Sequence, residues 1–377
     1  MDTVGSVLVV GGGIGGLSST IALRRAGVAR VEIVEANPAW DVYGVGIIQP
    51  GNAIRAMAQL GLADQCVAQG HPMDGSRSHD IDGRILADID FERPAGVELP
   101  VMNGLTRPRL HKILQDAALA SGASVRTGVT FTALTQREDG VSAAFTDGTS
   151  GDYDLVIGAD GIKSAVRAAA FPQAPRPEFF GQIVWRYNLP RFPDLARLWM
   201  FDGTRGRAGF VPLAPDLMYI LLIEAADDPD TAALPADRLA EIMREHLAEF
   251  GGPVAAVRDQ ITDSAKVVVR PVETVLVEPP WHRGRIVLIG DAAHATTPHL
   301  GQGAAQAIED GIVLAEELAR GPSVEKALER FVTRRYERCK IVIDGSSQIG
   351  RWEMEGRHDV DYAGTIKRLT DAVAAPI

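Results

Sequence analysis

Four short apolar runs in this chain of 377 residues predict buried strands of one parallel sheet. They lie at residues 6–10, 31–35, 154–159 and 285–290, and a glycine or an acidic residue closes or follows each of them. Mostly apolar runs of this length are typical of parallel strands that helices cover on both faces. Long segments separate the runs, so the sheet is expected to be discontinuous along the chain.

Apolar residues at helical spacing predict the helices around this sheet. Residues 107–121, for example, place Leu110, Ile113, Leu114 and Ala117 on one face. The other predicted helices that bear on the fold lie at residues 17–26, 51–62, 302–320 and 323–348.

Two inserted segments have the pattern of antiparallel strands, because their polar and apolar positions alternate with a period of two. The second segment is also rich in proline and contains one predicted helix, at about 235–250. We therefore predict an α/β fold in which a discontinuous Rossmann-like domain carries an inserted antiparallel β-sheet domain and C-terminal helices. The predicted boundaries are 1–72, 101–175 and 271–321 for the first domain, 73–100 and 176–270 for the second, and 322–377 for the C-terminal helical segment.

The net charge is −11 and the sequence pI is about 5.3. Nucleic acids and anionic membranes attract a positive surface, so neither is an expected partner. Cys66 and Cys339 form no CxxC pair, and no His/Asp/Glu spacing predicts a metal site. We see no secretory signal and no apolar run of membrane-spanning length. We therefore expect a cytoplasmic monomer or homodimer without stable membrane insertion.

The first chemical motif is GGGIGG at Gly11–Gly16, directly after the first predicted strand. Gly11 permits a tight turn, Gly13 lets the backbone approach a pyrophosphate, and Gly16 allows close packing of helix against strand. Glu35 ends the next strand and is placed to accept a hydrogen bond from a ribose hydroxyl. This unit alone is compatible with either NAD or FAD.

Two further strands end in an acidic residue at the sheet edge where ligands bind in open α/β folds. The first is followed by Asp160 in the segment ADG, and the second by Asp291 in the segment GDAAHATTPHLGQG. Gly301-Gln302-Gly303 then opens a helix whose N-terminus suits an anionic edge of a flavin ring. The combination favours FAD over NAD.

Together, GGGIGG, ADG with Ser164 and Arg167, and GDAAHATTPHLGQG resemble the single-component, class A flavoprotein monooxygenases with a p-hydroxybenzoate hydroxylase-like fold. The resemblance extends from about residue 6 to residue 340. It implies that Glu35 and the glycine loop hold the ADP half of FAD, and that Asp160 supports both FAD and an approaching nicotinamide nucleotide. Asp291 would bind the ribityl chain, and Arg107 would contact FAD, with Arg109 as its rival. The full set of FAD contacts that we predict is Gly11, Gly13, Ile14, Gly15, Gly16, Glu35, Ala36, Gly46, Ile47, Arg107, Val129, Asp160, Asp291, Pro298, Gly301, Gln302, Gly303 and Ala304.

The resemblance also implies a reaction. NADH or NADPH reduces FAD, O₂ forms a C4a-hydroperoxyflavin, and a small aromatic or heteroaromatic substrate is hydroxylated. We expect His299 to act as the general base and Arg186 to pair with a carboxylate or enolate. Trp185, Phe210, Pro212 and Tyr219 are the predicted substrate-lining residues, although alternation along a strand turns half of such positions into a core.

Other functions stay open on the same fold. An isoprenoid-type reductase and a non-catalytic FAD-binding protein share these motifs. A flavin-dependent halogenase is less compatible, because WRYNLP is the nearest segment to its WxWxIP signature. A plain NAD dehydrogenase would leave the segment around Asp291 without a role.

Overall fold

The computed structural model describes residues 4–42, 44–91, 98–321, 323–357 and 359–377. Over these residues the strands are β1 (Ser6–Val10), β2 (Arg30–Glu35), β3 (Gly46–Pro50), β4 (His71–Met73), β5 (Gly75–His79), β6 (Ile85–Asp90), β7 (Met102–Thr106), β8 (Ser124–Thr127), β9 (Phe131–Gln136), β10 (Val141–Phe145), β11 (Ser150–Tyr153), β12 (Leu155–Gly158), β13 (Glu178–Pro190), β14 (Leu198–Asp202), β15 (Gly206–Pro212), β16 (Leu217–Ala225), β17 (Val268–Leu276), β18 (His282–Arg283) and β19 (Ile286–Leu288). The α-helices over the same ranges are α1 (Ile14–Arg25), α2 (Gly51–Gln59), α3 (Ala63–Gln69), α4 (Arg107–Ala120), α5 (Ala165–Ala170), α6 (Leu239–His246), α7 (Gly252–Arg258), α8 (Asp291–His294), α9 (Gly303–Arg320), α10 (Val324–Met354) and α11 (Tyr362–Ala374).

The predicted parallel sheet has the strand order β18-β19-β12-β1-β2-β8. Its strands are parallel except for the short edge pair β18 and β19. The four apolar runs supply β1, β2, β12 and β19, and every residue of β12 and β19 is buried. Because these strands come from distant parts of the chain, the predicted discontinuous α/β fold is confirmed.

The second large sheet has the order β17-β13-β16-β15-β14-β5-β6. It is antiparallel except where β5, which arrives from the earlier inserted segment, pairs parallel with β14. Strand β17 continues in this sheet past the predicted boundary at residue 270, so that boundary is corrected. The rest of the division into domains stays a prediction.

Helices α6 and α7 cover one face of this second sheet, where Met243, Leu247 and Val254 join its core. The helix predicted at 235–250 corresponds to α6 with a short 3-10 turn on each side of it. Helix α7, which begins at Gly252, is a further helix that the sequence pattern did not predict.

Two small antiparallel sheets, β3-β7-β4 and β11-β10-β9, complete the strands of the described ranges. Helix α10 packs along α9, and α11 packs against α10. The Arg55 guanidinium of α2 donates to the carbonyl oxygens of Ala374 and Ala375, which fastens the end of α11. None of the described helices is both long and apolar enough to cross a membrane.

Candidate active site

Three glycines shape the turn between β1 and α1. Gly11 has a left-handed φ of +106°, and a Cβ there would lie 2.4 Å from the Ala159 carbonyl oxygen. A Cβ on Gly16 would lie 2.0 Å from the Gly11 carbonyl oxygen. By contrast, no atom lies within 4 Å of the position that a Cβ on Gly13 would take. The turn is therefore closed by protein at Gly11 and Gly16 and open to a ligand at Gly13.

The start of α1 lies beside the start of α9. A Cβ on Gly15 would lie 3.4 Å from the Ala307 Cβ, and one on Gly311 would lie 2.7 Å from the Ser19 backbone. Neither helix has a side-chain hydrogen bond at its N-cap. Both helix starts therefore present backbone N–H groups and partial positive charge at this place, which suits an anionic dinucleotide.

The side chains of Glu35, Trp40 and His111 hold the peptide groups of Gly12. Glu35 Oε2 accepts the Gly12 N–H at 2.8 Å, while Trp40 Nε1 and His111 Nε2 lie 3.1 and 2.8 Å from the Gly12 carbonyl oxygen. Glu35 Oε1 accepts the Asn37 N–H at 2.7 Å. Each carboxylate oxygen keeps a second lone pair, so Glu35 can still accept a ribose hydroxyl.

Asp160 holds the turn that follows β12. Its carboxylate accepts the Ser164 hydroxyl at 2.5 Å and the backbone N–H groups of Ala165 and Val166 at 2.7 and 3.0 Å. This turn lies against the glycine loop, because the Gly11 backbone approaches Asp160 directly. The predicted contact of Asp160 with FAD and a nicotinamide nucleotide stays a prediction.

Asp291 begins α8 just after β19. Its side chain is exposed to solvent, and protein atoms also surround its carboxyl group. A side chain that lines a cleft has both properties. Burial raises the pKa of its carboxyl, against the opposing influence of His294 and Arg107. The Cδ atom of Arg107 packs on Gly44, where a Cβ would be 2.8 Å away. The rival, Arg109, instead lies with its Nη1 3.3 Å from the side-chain oxygen of Gln69.

The loop before α9 is attached to β3 and α2. Gly301 has a left-handed φ of +63°, and a Cβ there would lie 3.8 Å from the Ile48 Cβ. Gln302 and Asn52 exchange two hydrogen bonds of 2.9 and 3.0 Å. The predicted contacts on β3, Gly46 and Ile47, are thus brought next to the glycines that open α9.

The remaining predicted FAD contacts lie in two places, beside Glu35 and beside the start of α9. The Val129 N–H donates to the Glu35 carbonyl oxygen at 3.1 Å, and Ala36 is exposed beside it. Pro298 begins a short 3-10 turn before Gly301, and Ala304 is half-buried in the first turn of α9. Their contact with FAD stays a prediction.

Arg186 and Tyr219 share the face of the second sheet that meets β3. In the antiparallel register Arg186 opposes Leu221 and Asn188 opposes Tyr219, which puts both side chains on one face. A Cβ on Gly46 would lie 2.5 Å from the Tyr219 ring. The predicted substrate side of the sheet therefore adjoins the predicted flavin side of β3.

Trp185 and Phe210 lie on the opposite face of this sheet. Both are fully buried in the core beneath α6 and α7, and Trp185 Nε1 donates to Glu224 Oε1 at 2.7 Å. The expectation that they line the substrate site is corrected, since strand alternation turns them away from β3. Pro212 ends β15 with its carbonyl oxygen against Gly104, and its role stays a prediction.

His299 is enclosed by the C-terminal helices. Its Nδ1 lies 2.9 Å from Thr297 Oγ1, and its Nε2 lies 3.2 Å from Glu353 Oε2 at the end of α10. The other Glu353 oxygen contacts Arg207 Nη1 at 3.2 Å and accepts the Tyr362 hydroxyl at 2.5 Å. A general base needs a ring nitrogen that faces the substrate. The geometry therefore does not favour His299 as the general base. Its contacts with Glu353 instead connect the loop before α9 to α10 and, through Arg207, to β15.

We call the group formed by His299, Glu353, Arg207 and Tyr362 the clasp. It makes the stability of the fold depend on pH. Burial alone would raise the pKa of Glu353, but contact with His299 and the charge of Arg207 lower it to about 2. Folding lowers the pKa of this carboxyl from its ordinary value of 4.5, so the ionised carboxylate stabilises the folded protein fully when the pH is above 4.5. This stabilisation is lost as the pH drops toward 2.

We expect Glu353→Gln to lower the free energy of unfolding by about 3 kcal/mol at pH 7, because each pKa unit is worth about 1.4 kcal/mol. The difference from wild type should shrink below pH 4.5. Urea unfolding at pH 7 and pH 3.5 measures both values. Glu355→Gln, an exposed position one residue beyond Met354, is the control and should change little. A difference that stays constant across this range would contradict the assignment.

A second buried group connects α8, α9 and α10. Among the described residues, His294, Asp310 and Cys339 bring possible metal ligands within 4.8 Å of one another. Arg335 already occupies this space, because its Nε donates to Asp310 Oδ1 at 2.8 Å and its Nη2 lies 3.6 Å from Cys339 Sγ. Burial alone would lower the pKa of His294, but Cys339 and Asp310 outweigh it and raise that pKa well above its usual range. We therefore interpret the group as an ion-pair network.

The family of the chain is decided by the extent of a sequence match. The FAD binding domain family matches residues 5–346. The chain belongs to that family. The predicted cofactor FAD is therefore confirmed, and the open cradle at Gly13 with the two adjoining helix starts fits it.

Three known proteins show how far the likeness of this chain to others extends. Aurachin C monooxygenase/isomerase of Stigmatella aurantiaca is 32% identical, over 94% of this chain and 91% of its own. The 3-amino-4-hydroxybenzoate 2-monooxygenase of Streptomyces cremeus is 31% identical, over 89% and 84%. Klebsiella pneumoniae HpxO, solved with FAD and uric acid, superposes with a TM-score of 0.84 at 25% identity, over 98% and 96%. The prediction of an FAD-dependent monooxygenase is thus confirmed.

Proposed function

We propose that this FAD-dependent enzyme uses NADH or NADPH and O₂ to hydroxylate a small aromatic or heteroaromatic compound. The observation that carries the proposal is the contact between two predicted halves of a site. Loops that suit FAD meet at the edge of the parallel sheet, and the face of the second sheet with Arg186 and Tyr219 meets β3. The name of one relative, 3-amino-4-hydroxybenzoate 2-monooxygenase, describes a monooxygenase of an aromatic compound and supports the same reaction.

Each part of the cleft has a physical task in holding FAD. The Gly13 backbone and the start of α1 would take the pyrophosphate, and Glu35 the adenosine ribose. Asp291 would accept a ribityl hydroxyl, while Gly301 and the start of α9 would face the flavin ring. When bound, FAD supplies the redox chemistry that moves electrons from the nicotinamide to O₂ and one oxygen atom to the substrate.

The second sheet would hold the ring to be hydroxylated. Tyr219 is buried and packs directly against β3, so an aromatic substrate beside it is shielded from water. Burial raises the pKa of the Tyr219 hydroxyl, which keeps it protonated and able to donate a hydrogen bond to a phenolate or carbonyl oxygen. Arg186 lies on the same face and can balance negative charge on the substrate.

The test is turnover by purified, yellow protein with a panel of phenols and heteroaromatic acids. We expect NADH or NADPH oxidation to rise at least about tenfold with an accepted compound, because binding energy positions the reacting groups. O₂ uptake should match it, and one atom of ¹⁸O₂ should enter the product. Oxidation without O₂ that ignores aromatic compounds would favour an isoprenoid-type reductase. Absence of any flavin reduction would favour a non-catalytic protein. Cytoplasmic location and a monomeric or dimeric state stay predictions.

A further inference from the structure

Trp40 reaches the glycine loop from a strained position on the chain. Its backbone φ is +46°, and no other non-glycine residue of the described ranges has a positive φ. A bulky residue keeps this conformation only where surrounding contacts hold it. The Trp40 N–H donates to the Asn37 carbonyl oxygen at 3.1 Å, and the Gln115 amide donates to the Trp40 carbonyl oxygen at 2.6 Å. The fold thus maintains a costly backbone conformation that brings the indole onto Gly12.

The Gly12 carbonyl oxygen receives two side-chain donors. Trp40 Nε1 lies 3.1 Å and His111 Nε2 lies 2.8 Å from it, and the two rings pack edge to face with their centroids 6.1 Å apart. A carbonyl oxygen has two lone pairs and no proton, so His111 carries a proton on Nε2 and both contacts are donated hydrogen bonds. The direction of this carbonyl group is therefore fixed from the protein side.

The direction of the Gly12 carbonyl also fixes that of the Gly13 N–H. A trans peptide is planar, so its C=O and N–H groups point in opposite directions. The Gly13 N–H therefore points away from Trp40 and His111, and within the described part of the chain it has no protein acceptor. The space beside Gly13 is open and adjoins the start of α1, where an anion is favoured.

We propose that Trp40 and His111 are positioning residues for the cofactor, which hold the Gly12 carbonyl so that the Gly13 N–H points at the pyrophosphate of FAD. A peptide between two glycines rotates at little cost, so without these donors FAD binding would have to order it. The inference rests on the proposed place of the pyrophosphate at Gly13 and does not depend on the proposed hydroxylation. Neither residue is among the FAD contacts that the sequence predicts.

FAD titration of the apoprotein tests the proposal, and thermal unfolding of each apoprotein confirms that it is folded. Trp40→Phe keeps a ring beside His111 but removes the indole donor, so FAD affinity should fall at least about threefold, the value of one hydrogen bond. The double variant Trp40→Phe/His111→Phe should lose at least about tenfold. His111→Gln, whose amide can donate in place of the imidazole, should stay within about twofold of wild type. Trp352→Phe, the same change at a half-buried position of α10, is the control and should match wild type.

A double-mutant cycle with Gly13→Ala separates positioning from general support of the loop. In that background a methyl group already keeps the pyrophosphate from the N–H, so adding the double variant should change FAD affinity by less than about twofold. A further loss of about tenfold there would overturn the proposal, because the two residues would then act elsewhere in the loop. Unchanged FAD affinity of the double variant alone would also overturn it.

Two other results bear on the basis of the inference. If His111→Gln lost as much affinity as the double variant, ring packing rather than the donated hydrogen bond would matter, and the proposal would fail. If Gly13→Ala alone left FAD affinity unchanged, the proposed place of the pyrophosphate would fail, and the positioning role with it. Turnover with aromatic compounds tests the proposed hydroxylation separately.

Discussion

Replacing Gly13 by alanine is expected to weaken FAD binding by at least about tenfold while the apoprotein stays as stable as wild type. Gly13 has φ −82° and ψ −170°, angles that alanine adopts without strain, and no atom lies within 4 Å of the new Cβ. The methyl group would instead enter the space through which a pyrophosphate approaches the start of α1. The measurement is FAD titration of the apoprotein, with thermal unfolding of the same sample.

Gly16→Ala is the matched comparison, because it adds the same methyl group three residues along the motif. Its Cβ would lie 2.0 Å from the Gly11 carbonyl oxygen and 3.2 Å from a Val9 methyl group. Backbone atoms cannot move aside cheaply, so the apoprotein should lose about 3 kcal/mol of stability. If Gly13→Ala destabilised the apoprotein as much as Gly16→Ala, the space at Gly13 would not be the ligand side of the turn.

Local pattern was sufficient for the parallel sheet and the loops at its edge. Residues 7–10 and 155–159 carry no polar side chain, a pattern that is typical of short strands buried on both faces. The glycine loop was equally accessible, since GGGIGG between a strand and a helix has few structural uses. These features depend on neighbours in the sequence, and the structure places them as the pattern predicts.

The sequence does not predict in the same way which face of a strand points toward the site. Alternation along β13 shows that Trp185 and Arg186 point in opposite directions, but it does not show which direction faces β3. An aromatic residue was the natural choice for a substrate wall, and yet Trp185 belongs to the core beneath α6 and α7. Only the packing of another layer decides which face becomes a site.

The sequence also does not predict contacts between segments that are distant along the chain. Trp40 and His111 hold Gly12 from positions 28 and 99 residues away, and Glu353 reaches His299 from the end of α10. A lone histidine or arginine in a sequence carries no sign of such partners, so the base assigned to His299 rested on proximity in sequence alone.

The largest loss of stability is expected from Arg335→Met. Arg335 is fully buried, and it donates to Asp310 Oδ1 at 2.8 Å, to Glu309 Oε2 at 2.7 Å and to Gln306 Oε1 at 2.6 Å. Methionine fills similar volume but leaves these acceptors without their cation. Removing one partner of a buried ion pair costs about 3–5 kcal/mol, so urea unfolding of the variant should show a loss of that size.

Arg330→Met on the same helix is the control, because the Arg330 side chain is 40% exposed where it pairs with Glu317. Glu317 is buried, but it keeps Arg334 at 2.6 Å when Arg330 is replaced, so the loss should be about 1 kcal/mol or less. Asp310 also accepts the Gly290 N–H at 2.8 Å, next to Asp291 at the flavin cleft. Arg335→Met should therefore weaken FAD binding as well, whereas Arg330→Met should not. Equal stability losses in the two variants would mean that the buried network contributes no more than the half-exposed Arg330. Equal FAD binding would mean that the cleft does not depend on the network.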